Sequence, residues 1–211
     1  MADFIYVLVI LFATTLGALA GIGGGVIIKP VFDAFGEYSA TQVSVISSCA
    51  VFAMSAVSTA LSAKQIKEQH QHLKTMLPLA VGAAFGGWLG EFVFSKFTGN
   101  DSFIRIIQNV ILFILIVFVV IYMKDENKKS LKITEWYAGL ITGMALGCVS
   151  AFLGIGGGPI NVAVTTLVFG FEIKTAVIGS LMTILFAQGT KLITIAAKDT
   201  SAFGIKLLPF V

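Results

Sequence analysis

Long apolar runs alternate with short polar breaks along this chain. The runs cover about 4–35, 38–61, 74–95, 102–123, 135–169 and 174–197, and a seventh starts near Phe203. A helix crosses the hydrocarbon core of a bilayer with about 20 apolar residues, at roughly 1.5 Å per residue. Four of the six runs therefore fit one crossing each. The runs at 4–35 and 135–169 are too long for one straight helix, and both are interrupted by the same five residues, Gly-Ile-Gly-Gly-Gly. A membrane β-barrel would show short alternating segments instead. The pattern predicts an all-α fold, a polytopic transmembrane helical bundle.

Composition agrees, since 57% of the residues are hydrophobic and only 12% charged. A soluble domain carries about a quarter charged residues to coat its surface. The small basic excess gathers in loops and makes no stripe with interleaved aromatics, so nucleic acid is not an expected partner. Cys49 and Cys148 fall inside apolar runs and read as small packing residues. Phe4–Ala20 ends in Ala18-Leu19-Ala20, which resembles a signal-peptide cleavage site, but the only early charge is Asp3. A similar junction recurs at Ala151-Phe152-Leu153-Gly154, so the segment is expected to be a first membrane helix.

The two glycine runs mark an internal repeat. Gly21–Gly25 and Gly154–Gly158 are identical and 133 positions apart. The likeness continues from Phe35-Gly36 to Phe169-Gly170, and from Val45-Ile46-Ser47-Ser48 to Val177-Ile178-Gly179-Ser180, with Pro209 answering Pro78. Two homologous repeats are expected, one over residues 1–130 with four spans and one over 131–211 with two spans and the start of a third. On this logic a fourth helix should follow, and the second repeat is expected to be cut short. Self-similar halves are a common build of transporters.

Loop charge sets the expected orientation. Lys64, Lys67 and Lys74 follow the second span, and Lys124, Lys128, Lys129 and Lys132 follow the fourth, whereas the loops near Glu37, Lys96 and Glu172 are poorer. Lys-rich loops stay cytoplasmic, so loops 61–74 and 123–134 are expected inside a multi-pass protein of the inner (plasma) membrane. If each broken segment crosses once, the N-terminus is cytoplasmic too and the repeats are parallel. If it folds back, the N-terminus is outside.

Four glycines in five residues weaken a helix by about 1 kcal/mol each relative to alanine, so the helix is expected to break there. Non-helical backbone survives at membrane depth only when buried in protein or lining a cavity. Freed N–H groups and the start of the next half-helix then favour an anion. The candidate substrate-binding residues are accordingly Gly21, Gly23, Gly24 and Gly25, and Gly154, Gly156, Gly157 and Gly158. Close helix packing is the competing reading, and it is the expected role of Gly82, Gly86 and Gly90 at four-residue spacing. Lys29, one turn beyond Gly25, either neutralises an anion at the break or snorkels to an interface. Asn161 holds the matching neighbourhood beyond Pro159, a residue suited to a helix's first turn. Ser47, Ser48, Ser180 and Thr183 offer hydroxyls to a ligand or bond back to their own helices. Lys191 is expected to mark the cytoplasmic end of the sixth span, and Arg105, Gln108 and Asn109 to be interfacial or packing residues. His70 and His72 read as a solvated loop, with no metal site and no cofactor expected.

The doubled glycine motif, each copy followed by an apolar half-helix, a Phe-Gly turn and a Ser-containing stretch, resembles the sulfite exporter TauE/SafE family (toluene sulfonate uptake permease group). The resemblance runs from about Leu16 to Lys191. It implies two four-helix repeats and the transport of small anions such as sulfite, sulfonates or related carboxylates. The expected function is a secondary transporter, in the export direction, with a small anion and the lipid bilayer as partners; a coupling proton and self-association stay open. An anion channel or a non-transporting membrane scaffold are the alternatives. An intramembrane enzyme would need a nucleophile–base or metal set inside the spans, and none is visible.

Overall fold

The computed structural model describes residues 2–20, 23–36, 38–68, 70–97, 101–124, 130–133 and 135–198. Among them every regular element is a helix: α1 (Ala2–Ala20), α2 (Gly25–Phe35), α3 (Ala40–Leu61), the short α4 (Ala63–Glu68), α5 (His70–Lys96), α6 (Asp101–Lys124), α7 (Trp136–Leu153), α8 (Gly158–Phe169) and α9 (Ile173–Lys198). Among the described residues, five helices are long and apolar enough to cross a membrane, at Ala40–Leu61, His72–Lys96, Asp101–Lys124, Trp136–Leu153 and Ile173–Ala197. Gly21, Glu37, Lys128, Lys129 and the run from Phe203 through Pro209 lie outside the described residues. The loop expected at 61–74 is largely helical, because α4 and the first turn of α5 fill it. His72 is therefore no loop residue: its ring packs edge-on against Phe171, with centroids 5.0 Å apart.

Local chemistry explains the helix ends. Ser39 and Gln42 form a reciprocal capping box that starts α3. Pro159 stands in the first turn of α8, and α2 and α8 both stop at glycines, Gly36 and Gly170. The same order, helix, glycine break, short helix, long helix, is met at α1–α2–α3 and at α7–α8–α9.

Contacts decide that each broken segment folds back. Ala13 of α1 lies against Gly24 at the start of α2. Tyr6, two turns earlier in α1, packs on Phe32 and Phe35 at the end of α2, with ring centroids 4.5 and 5.6 Å away. The two helices are thus antiparallel. For the second segment, the N–H groups of Leu131 and Ile133, just before α7, donate to the carbonyls of Leu167 and Val168 at the end of α8. That hairpin also returns to the side on which it began.

The two hairpins open at opposite ends of the bundle. Tyr38 beside α3, Arg105 in α6 and Phe94 near the end of α5 share one end with the α1–α2 opening, where Arg105 meets Asp33 and Tyr38 and Phe94 clusters with Ala40 and Ile104. At the other end His72 and Thr75 of α5 meet Phe171 and Gly139, beside the α7–α8 opening. Helices α5 and α7 make the most extensive contact in the bundle. Their spacing is set by glycine: a β-carbon on Gly82, Gly86 or Gly90 would land on the backbone of Leu140, Met144 or Cys148, and one on Gly139, Gly143 or Gly147 on that of Thr75, Leu79 or Ala83. Small residues every fourth position let backbones touch in the absence of a hydrophobic drive between helices. Helix α6 instead turns large apolar side chains outward, among them Phe113 and Ile121. Such a face suits lipid.

Candidate functional site

The two glycine breaks meet in the middle of the bundle. A β-carbon on Gly23 would lie 3.4 Å from Ile184 Cδ1, 3.8 Å from Val51 Cγ1 and 3.9 Å from Gly158 Cα. Gly156 rests on the same two side chains, and Gly25 packs on the backbone of Ile155. Val51 and Ile184 each lie eleven residues past the first residue of their helices, Ala40 and Ile173. Those helices start from opposite ends, so both residues sit roughly 16 Å in, half the thickness of a hydrocarbon core. Gly156 and Gly157 have consecutive φ values of 76° and 69°, a conformation that β-carbons oppose and glycine accepts.

Polar side chains surround this meeting point on two facing stripes. On α3, Ser44, Ser47, Ser48 and Val51 follow the i, i+3, i+4, i+7 spacing of one helix face. Ser44 packs on Gly154, and the buried hydroxyls of Ser47 and Ser48 have no hydrogen-bond partner among the described residues. On α9, Ser180 donates to Gly158 O at 3.3 Å, Ile184 holds the breaks, Gln188 Nε2 lies 3.5 Å from Ser150 O, and Lys191 Nζ is 2.8 Å from Ala151 O. Gly157 is flanked by Ser150 Oγ and Asn161 Oδ1. The amide of Asn161, Ser150 Oγ and Gln188 Oε1 are buried without a partner among the described residues.

The structure therefore brings together Gly23, Gly25, Gly156, Gly157, Gly158, Asn161 and Ser180, with Gly154 beside Ser44. Ser47 and Ser48 share the α3 face that meets them. Others are placed elsewhere. Gly24 is a packing glycine, since α1 backbone at Ala13 fills the space its side chain would need. Thr183 bonds back to Gly179 O at 2.8 Å. Lys29 does not snorkel to an interface: it is wholly buried, 3.4 Å from Asp33, which also binds Arg105 at 3.0 Å. Arg105 further donates to the carbonyl of Tyr38, and Gln108 to that of Phe152 at 2.5 Å, so neither is a simple interfacial residue. One register detail also differs from the sequence match. Ser47 and Ser180, and not Ser48 and Ser180, stand four residues before the two side chains that carry the breaks.

Lys191 is the largest correction. It lies toward the end of α9 remote from the Lys-rich loops, wholly buried and tied to Ser44 Oγ at 2.6 Å. Glu91 of α5 is 3.9 Å from its Nζ. Ser44, Ser150, Glu91 and Lys191 are candidate site residues that sequence reasoning passed over or misplaced. The available signal was the presence of Glu91 and Lys191 inside apolar spans, where an ionisable group is expensive and marks a site by default.

A helical bundle whose two broken segments meet at mid-membrane, ringed by buried polar groups, has the build of a membrane transporter. The chain belongs to the Sulfite exporter TauE/SafE family, which it matches over residues 6–211. It is also 26% identical over 212 residues to the "Probable membrane transporter protein YunE" of Bacillus subtilis (strain 168), an alignment covering 90% of this chain and 77% of that protein. No solved structure gives a significant match. The protein is a multi-pass membrane protein of a transport family.

Proposed function

We propose that this protein moves a small sulfur-containing or organic anion, such as sulfite or a sulfonate, outward across the plasma membrane. The observation that carries this reading is the set of hydrogen-bond donors on Ser47, Ser48, Ser150 and Asn161 that are buried without a partner among the described residues, near the centre of the bundle. Each buried polar group left unpaired costs about 1–3 kcal/mol, so their gathering around two glycine breaks favours a ligand rich in acceptor oxygens. Access would alternate by movement of one hairpin unit against the other. An anion that crosses without a coupled proton is helped outward by an inside-negative potential, by about 2.3 kcal/mol per charge per 100 mV, whereas one that crosses with a proton moves no net charge.

Ligand-induced thermal stabilisation of the detergent-purified protein tests the site, with sulfite, sulfate, thiosulfate, taurine, sulfoacetate and simple carboxylates as probes. At least one anion is expected to raise the melting temperature saturably. Asn161→Leu is expected to abolish that rise while leaving the unliganded protein as stable, or more stable by about 1 kcal/mol, because an unsatisfied buried amide has been removed. If no anion shifts the melting of well-folded protein, the scaffold reading moves ahead. Saturating flux in liposomes separates a carrier from a channel.

Loop charge, taken with the hairpins, supports one orientation. With the Lys-rich loops at 61–74 and 123–134 inside, the α1–α2 hairpin opens outside and the α7–α8 hairpin opens to the cytoplasm, an inverted arrangement. A cysteine placed at Lys64 should react with an impermeant maleimide only in inverted vesicles, and one at Phe97 only in intact cells. The opposite pattern would reverse the orientation.

A further inference from the structure

We propose, building on the anion site above, that Lys191 is the cation that receives the substrate and that Glu91 takes up one proton as the anion binds. Lys191 Nζ is wholly buried and joins four helices: Ser44 Oγ of α3 at 2.6 Å, Ala151 O of α7 at 2.8 Å, and Glu91 Oε2 of α5 at 3.9 Å, while Lys191 itself belongs to α9. An ammonium has three N–H donors. Two are held at short distance by neutral oxygens, and the third direction faces the carboxylate only at the outer limit of an ion pair. That loose arm is where an incoming oxyanion can be accepted. The position is fitting, because both short partners touch the second break: Ser44 packs on Gly154, and Ala151 closes the last turn of α7 before it.

Charge makes the proton necessary. Glu91 is the one carboxylate on α5, and α3, α7, α8 and α9 carry none. Of those helices, α3, α7 and α8 also have no Lys or Arg. Among the described residues, the other titratable groups within electrostatic reach of Lys191 are Lys29 of α2, which Asp33 already holds, and the Cys49 thiol of α3. Lysine and glutamate together are neutral. A bound monoanion would leave two negative charges on one ammonium in a buried site, an arrangement that a second like charge destabilises. Glu91 relieves it by binding a proton, and the loaded site is neutral again. A dianion would stay uncompensated, so the site selects singly charged oxyanions, and each moves with one proton.

Methanesulfonate is a suitable probe, because its own charge is constant across the working pH range. In the wild-type protein its affinity is expected to fall tenfold for each unit of rising pH above the point where unliganded Glu91 stays ionised, the slope of one linked proton. Calorimetry in two buffers of different ionisation enthalpy should show about one proton taken up per methanesulfonate bound. Glu91→Gln is expected to bind with no proton uptake and no pH slope, and Lys191→Met to lose binding. The wild-type slope alone tests the idea should a variant fail to fold. Wild-type binding with no proton uptake, or uptake that persists in Glu91→Gln, overturns the coupling and leaves the anion site standing. Failure of the wild-type protein to bind methanesulfonate at any pH counts against the site itself as a sulfonate site.

Discussion

Asp33→Ala is expected to destabilise the folded chain by about 3–5 kcal/mol, the range for breaking a buried ion pair by removing one partner. Asp33 stands between two cations, Lys29 at 3.4 Å and Arg105 at 3.0 Å, and Lys29 has no solvent exposure at all. Without the carboxylate, two like charges face each other at the open end of the α1–α2 hairpin. Lys29→Met is expected to cost markedly less, because it keeps the side-chain volume and leaves Asp33 with Arg105. The double variant Asp33→Asn with Lys29→Met should recover part of the loss, since the fully buried charge goes with its partner. Thermal melting and detergent-denaturation midpoints measure all three. Equal losses for Asp33→Ala and Lys29→Met would mean that packing, and not this charge network, holds the hairpin to α6.

Gly143→Leu is expected to prevent folding outright. A β-carbon at this position already falls on the backbone oxygen and carbon of Leu79 in α5, and backbone cannot rotate aside as a side chain can. Even Gly143→Ala must push the two helices apart, at about 1–3 kcal/mol for overpacking of a closed interface. The control is Gly36→Ala. Gly36 has open space around its missing side chain and a φ of 69°, so only the left-handed conformation is penalised, by about 1–2 kcal/mol. Size-exclusion profiles and melting of the purified variants check the order. A monodisperse, stable Gly143→Leu protein would show that α5 and α7 are not the tight pair described above.

The helices themselves were legible because length and apolarity act locally. Runs at 38–61, 74–95, 102–123 and 174–197 became α3, α5, α6 and α9 with small shifts at their ends. Both breaks fell where four glycines in five residues made helix least favourable, and Gly82, Gly86 and Gly90 proved to be packing glycines. The site was only partly legible. Gly23, Gly156 and Gly158 could be named from the repeat, yet nothing local reveals that they rest on the same two side chains, Val51 and Ile184. Lys191 looked like an end-of-helix lysine because it lies seven residues before the end of α9. That inference needs to know which end of the helix faces the Lys-rich loops, which depends on whether the earlier segments fold back.

What the sequence by itself determined is the one-dimensional part of this protein: a membrane bundle, the number and limits of its long helices, and two identical breaks. These follow from the thickness of the bilayer and from the weakness of glycine in a helix, and each residue contributes without reference to distant ones. Only the tertiary structure decided that the broken segments are hairpins, that they open at opposite ends, and that Lys191, Glu91, Ser44 and Ser150 gather at their junction. Identical pentapeptides acquired different roles there. Gly24 faces α1, where backbone at Ala13 presses on it, whereas Gly157 faces Ser150 and Asn161. The physical reason is that a glycine contributes an absence. Whether that space admits a neighbouring backbone or borders a polar site is decided by the helix packed against it, and that neighbour is chosen by the fold as a whole.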